Sequence, residues 1–278
     1  MFDIDNNGLI QKIHLKCNAF FSKCLKKVFD YAQCQIIVCG FPRSGTSLLY
    51  NMLSTTLPGF RYAEFEKYFV YNIHKIGNLA SKAPLDILHI KHIDKLNINN
   101  KKLIILIVIR DIRDIITSRH PIYPDDYFIG YDHSWWPQNS AFTKWKYDAP
   151  GVIPVHHAIQ RATHRSDTFI IKYEELVINP DHTQKEIEKK FGIIFNGHFS
   201  EYHKKPEKHA YRYAGRYSPK DPKLVMENKS SSTSRIHRWK TSERTIERVK
   251  QQFSECAELF SLLEFYGYEK SREWFNLI

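Results

Sequence analysis

Two short apolar runs stand out against an otherwise mixed chain, "QIIVC" at 35–39 and "LIILIVI" at 103–109. Both are rich in β-branched residues, and the longer is far too short to span a bilayer, so each predicts a buried strand. Behind the first, Leu48, Leu49, Met52 and Leu53 share one helical face until Pro58 and Gly59 stop the helix. Behind the second, "RDIRDIITSRH" predicts a turn and a helix. "TFIIKY" at 168–173 reads as a further strand, and a short one is expected near 60–63. Helical spacing recurs at 65–78, in "APLDILHIKHIDKL" with Pro84 in its first turn, at 153–165 and at 181–191. From Ser242, the residues Ile246, Val249, Phe253, Ala257 and Phe260 predict one long helix ending before Gly267. Ile10, Ile13, Phe20, Phe21, Leu25, Val28 and Phe29 among lysines give residues 1–34 the look of an amphipathic helical lead-in. Residues 120–151 hold no steady period and are expected to form an irregular substrate loop, and 195–235 is polar, basic and irregular. Strands alternating with helices predict one α/β domain over 1–278, with a central parallel sheet flanked by helices.

Composition supports a packed domain. Apolar residues make up 42 % of the chain and aromatic residues 14 %, enough for a sizeable core and against global disorder. The net charge of +11 points to an anionic partner: nucleic acid, an acidic membrane surface, an anionic cofactor or an acidic polymer. A solvated basic surface accounts for the same charge. Cys17, Cys24, Cys34, Cys39 and Cys256 have no metal-ligand spacing and read as reduced thiols of a cytoplasmic protein. The N-terminus lacks the continuous apolar stretch of a signal peptide, and its basic helix leaves peripheral membrane contact open.

The chemistry concentrates in "GFPRSGTS" at 40–47, between the first strand and its helix. Gly40 and Gly45 let the backbone turn tightly and approach a ligand. Amides of residues 43–47 at a helix start converge on an anion, with Arg43, Ser44, Thr46 and Ser47 as further donors. The spacing is that of a nucleotide triphosphate loop, giving a P-loop-like core, but Thr46 stands where that loop has lysine. The strand "LIILIVI" runs into Arg110, a cation, rather than a metal-holding carboxylate. These residues predict two separate anion positions and no metal site.

Together, "GFPRSGTSLL" and "VIRDIRDIITSRH" resemble the sulfotransferases that use 3′-phosphoadenosine 5′-phosphosulfate (PAPS). The likeness extends to "KYEELVINP" at 172–180 and "SRIHRWK" at 234–240, and so touches most of the chain from about 35 to 268. It implies that Arg43, Ser44, Gly45, Thr46 and Ser47 hold the 5′-phosphosulfate. It places the 3′-phosphate on Arg110 and Ser118, with Arg235 and Arg238 closing from the late basic segment. Trp239 is either under the adenine or in the core. Lys82 matches the lysine that neutralises the transferring group, and adenosine 3′,5′-bisphosphate (PAP) is the implied product.

An acceptor hydroxyl must also lose a proton. Phenol-modifying members use a histidine after a Lys-Thr pair, whereas this chain has "SKAPLD" there. Carbohydrate- and protein-modifying members use a glutamate after the second strand, which here implies Glu64, with Glu66, His133 and His120 as the other candidates. Trp135 and Trp136 suit stacking on a sugar or flat acceptor. The expected function is sulfuryl transfer to a glycan, glycolipid or small metabolite, with no nucleic acid partner. A small-molecule kinase with a degenerate phosphate loop and a basic nucleic-acid- or membrane-binding protein are the rival readings.

Overall fold

The computed structural model describes residues 33–63, 66–120, 123–139, 144–205, 208 and 233–278. Five parallel strands form the central sheet: β1 (Cys34–Gly40), β2 (Arg61–Tyr62), β3 (Leu79–Lys82), β4 (Lys102–Ile109) and β9 (Thr168–Lys172), in the spatial order β2-β3-β1-β4-β9. The two predicted apolar runs are the paired central strands, with Ile36 opposite Ile104 and Gly40 opposite Val108.

Alternation along these strands divides the core. Ile36, Val38, Ile104, Leu106 and Val108 pack against α1 (Thr46–Thr56) and, beyond it, α5 (Tyr173–Ile178) and α6 (Pro180–Phe191). Ile37, Cys39, Ile105, Ile107 and Ile109 face α3 (Ile112–Ile116), α4 (Val152–Thr163), α7 (Glu243–Glu255) and α8 (Glu258–Phe265). With both faces covered, the central strands need continuous apolar sequence, and that made them readable.

Four expectations change. The helix expected at 65–78 is a single 3-10 turn at Phe69–Tyr71, followed by the unpredicted strand β3. The strand hides from pattern reading because "LASK" is short and wholly buried yet half polar. "APLDILHIKHIDKL" is a 3-10 helix over Pro84–His92 that widens into α2 (Ile93–Leu96). The region 120–151 is not irregular. It forms two antiparallel ribbons, β5 (Arg119–His120) with β6 (Tyr123–Tyr127) and β7 (His133–Asn139) with β8 (Lys144–Pro150). Cross-strand bonding supplies there an order that has no apolar period to announce it. The long final helix is two, α7 and α8, because Cys256 is extended between them; α9 (Glu273–Asn276) closes the chain.

The lead-in at 1–32 and most of 206–232 lie outside the described residues. Among the described residues, no helix is long and apolar enough to cross a membrane.

Candidate active site at the carboxyl ends of the central strands

After β1 the chain runs to β2 and β3 on one side, then crosses to β4 on the other. The crevice beyond the carboxyl ends of β1 and β4 is where open α/β sheets take ligands, and the loop 40–47 lies there. Gly40 has φ +131°, and a Cβ on it would meet the Val108 carbonyl oxygen at 2.2 Å. Gly45 has φ +102°, and a Cβ there would strike the Tyr173 ring at 2.5 Å. Only glycine lets this loop pass between β4 and Tyr173.

Arg43, at φ 64°, is also left-handed and stands exposed. Ser44 turns inward: its hydroxyl donates to Phe41 O at 2.6 Å and its amide to the same oxygen at 3.3 Å. The Ser44 hydroxyl therefore ties the loop back on itself at Phe41 O. The first helical bond of α1 runs from Leu49 N–H to Gly45 O at 3.1 Å, so the amides of Thr46, Ser47 and Leu48 precede it. No side chain caps this end, and no acid lies in its first turn. The positive end of the helix dipole is left for an anion.

On the β3 side stands Lys82, fully buried. Its ammonium donates to Ser47 Oγ at 2.9 Å and to Glu66 Oε1 at 2.6 Å. Burial lowers its pKa from the usual lysine range and the Arg43 charge adds to this, against the opposing pull of Glu66. Arg43, Ser47, Lys82 and Glu66 thus form one electrostatic unit at the helix start.

On the β4 side stands Arg110, 8 % exposed. It donates to Asp114 Oδ2 at 2.9 Å, to Arg43 O at 3.3 Å and to Arg235 O, and lies over the Tyr173 ring at 4.5 Å. Its Nε is buried with no partner. Asp114 also accepts the amides of His237 at 3.1 Å and Trp239 at 3.0 Å, which pins the late basic segment beside the strand end. Ser118 donates to Asp114 O at 2.9 Å, so Arg110 and Ser118 gather about one aspartate after α3 ends at Ile116.

A family model described as a sulfotransferase domain matches residues 33–248. The chain belongs to the sulfotransferase family. No curated protein matches it. Among solved structures, mouse sulfotransferase SULT7A1 complexed with PAP aligns over 84 % of this chain and 89 % of that one, at 13 % identity and a TM-score of 0.44.

Other candidates sort by position in this sulfotransferase. Arg235 lends its carbonyl to Arg110 and its charge reaches Tyr173 and Tyr202, while Arg238 is exposed on the next short turn. Glu64 lies outside the described residues; Glu66, two positions on, is the carboxylate on Lys82. The exposed His133 pairs with Asp148 on the β7–β8 ribbon at 3.3 Å, and His120 lies in β5 of the other ribbon, opposite Tyr123. Trp239 is a core residue, 1 % exposed and packed edge-on to Trp274.

The cluster Arg110, Asp111, Arg113 and Asp114 is buried. Within it, Arg113 is structural: bound to Asp111 and to Glu269 at 2.6 Å, it lies between Trp239 and Trp274 at 4.4 and 4.5 Å. His156, buried against Tyr266 with its pKa lowered to about 4 by desolvation, is structural too. Sequence reasoning missed Tyr173 as the floor beneath Gly45 and Arg110. The only signal for it was its place one residue past the strand "TFIIK".

Proposed function

We propose that this sulfotransferase moves the sulfuryl group of PAPS to an acceptor hydroxyl on a glycan, glycolipid or small metabolite. The observation that carries the reading is the placing of two buried cations, Lys82 and Arg110, on opposite sides of an uncapped helix start. A ligand with a phosphosulfate at one end and a separate phosphate matches that spacing of charge. The residues fit it: the α1 amides have no acidic cap, and Arg110 has an unsatisfied buried Nε.

PAPS, when bound, supplies an activated sulfuryl group and a phosphate leaving group. The amides of Thr46, Ser47 and Leu48, with Arg43, hold the phosphosulfate end. Arg110 takes the 3′-phosphate, with Ser118, Arg235 and Arg238 around it; Ser118 must release Asp114 O to donate there. With PAPS bound, Lys82 and Arg43 would neutralise the negative charge that PAP carries away as the S–O bond to the sulfuryl group breaks. The acceptor oxygen attacks sulfur, and its proton passes to a carboxylate of the 64–66 segment. Glu66 is favoured for this by its contact with Lys82, which holds it beside the reacting group.

Calorimetric titration with PAP, together with transfer of labelled sulfate from PAPS to a panel of hydroxylated acceptors, tests the reading. Saturable PAP binding and acceptor-dependent labelling are expected. Absence of PAP binding by the folded protein refutes it, and magnesium-dependent ATP binding would instead support the kinase.

A further inference from the structure

The connection from β2 to β3 carries the carboxylates that serve as proton acceptor, and it is held by a ladder of backbone bonds. Arg61 N–H donates to Asn78 O at 2.9 Å, Ala63 N–H to Ala80 O at 3.1 Å and Lys67 N–H to Lys82 O at 3.1 Å. The next rung has no strand carbonyl to meet, because β3 ends at Lys82 and the chain turns through Ala83 into the 3-10 helix. Asp86 takes its place. Its two carboxylate oxygens lie 3.2 and 3.0 Å from Phe69 N–H, and the side chain is fully buried. Glu66 therefore enters a stretch pinned at Lys67 by the lysine strand and at Phe69 by Asp86.

A carboxyl group at this position is costly to bury. Desolvation pushes Asp86 well above the usual carboxylate range, the Phe69 N–H opposes this, and the Glu66 charge adds to it. The same turn of chain that supplies Lys82 also supplies Asp86, four residues later, so one short segment sets both the cation and the path of the base.

We propose that Asp86 is a positioning residue for sulfuryl transfer: by holding Phe69 N–H it fixes the 66–69 stretch so that Glu66 lies against Lys82. This rests on the sulfotransferase reading and on a carboxylate of that segment as proton acceptor.

The test compares wild type, Asp86→Ala and Asp86→Asn. It reads PAP affinity by calorimetry, PAP release from PAPS with solvent water as the acceptor, and amide hydrogen exchange over residues 66–69. Asp86→Ala is expected to bind PAP as wild type does, to exchange faster at 66–69, and to lose turnover on the order of 100-fold, the scale of a small misplacement of a reacting group. Asp86→Asn keeps an oxygen for Phe69 N–H and is expected to recover much of that turnover. If Asp86→Ala loses PAP affinity in step with turnover, or keeps full turnover, or if Asp86→Asn is no better than Asp86→Ala, the positioning role is overturned. Should Asp86→Ala fail to fold, the asparagine variant decides: wild-type affinity with exchange still slow at 66–69 and most turnover kept supports the role, and loss of all three together overturns it. A wild-type protein that binds no PAP refutes the sulfotransferase reading itself and takes this proposal with it, an outcome distinct from every Asp86 result above.

Discussion

Lys82 and Arg110 occupy equivalent places, at the carboxyl ends of the strands on either side of β1, and both are buried. Their partners differ. Arg110 is bound by a fully buried aspartate, two backbone carbonyls and an aromatic face. The Asp114 carboxylate is fully buried and cannot turn to water. Among the described partners of Lys82 are the Ser47 hydroxyl and Glu66, whose side chain is 41 % exposed and can be rehydrated. In the proposed reading, Arg110 is an anchor and Lys82 a contact that can be exchanged. A transferase needs both, because the nucleotide end of a donor stays in place while charge moves at the other end.

The sharpest way to break this comparison is to remove the fixed partner. Asp114→Ala leaves Arg110 buried without its carboxylate and the amides of His237 and Trp239 without an acceptor. Unfolding free energy by urea titration is expected to fall by about 3–5 kcal/mol; an unchanged midpoint would show that the anchor is not load-sharing with the fold.

Lys82→Ala is expected to cost less in that experiment, since the half-exposed Glu66 can turn to water. Its effect belongs on turnover, a loss of roughly 100- to 1,000-fold in kcat with PAP affinity nearly unchanged. Titration sharpens the point. The lowered pKa of Lys82 means that it loses its proton at lower pH than an ordinary lysine at 10.5. The alkaline fall in kcat/KM for PAPS is therefore expected below that value, and Lys82→Arg, which keeps its charge, should remove the limb even if its rate is low.

Arg110→Ala is expected to show the opposite pattern to Lys82→Ala. PAP affinity drops by roughly 10- to 100-fold, the scale of one or two charge-assisted bonds at about 1.5–3 kcal/mol, and kcat at saturating PAPS changes little. If the two variants exchange these signatures, the assignment of anchor and moving contact is reversed. The smallest effect is expected for Ser47→Ala, worth about 1 kcal/mol on kcat/KM for a single neutral bond, with stability unaltered.

Much of this arrangement was legible in the chain. The central strands, α1 and the loop between them were readable because a doubly covered parallel strand demands an unbroken apolar run, and a tight anion loop demands glycine and small donors. Arg110 could be placed at a strand end for the same reason. β3 could not be read, because its burial comes from neighbours on both sides and not from its own composition. Lys82, Glu66 and Asp86 lost their context with it. The ribbons at 119–150 escaped because their order lies in cross-strand pairing, which leaves no period along one strand.

By itself, then, the sequence determined the family, the order of the central elements and the loop that waits for an anion, since each depends on residues adjacent in the chain. The tertiary structure alone decided how the surroundings of the two cations differ. Arg110 has Asp114, Tyr173 and the Arg235 carbonyl about it, and the partners of Lys82 include Ser47 and Glu66. For Arg110, Tyr173 and Arg235 come from far along the chain, and only folding brings their burial and hydrogen bonds to bear on it.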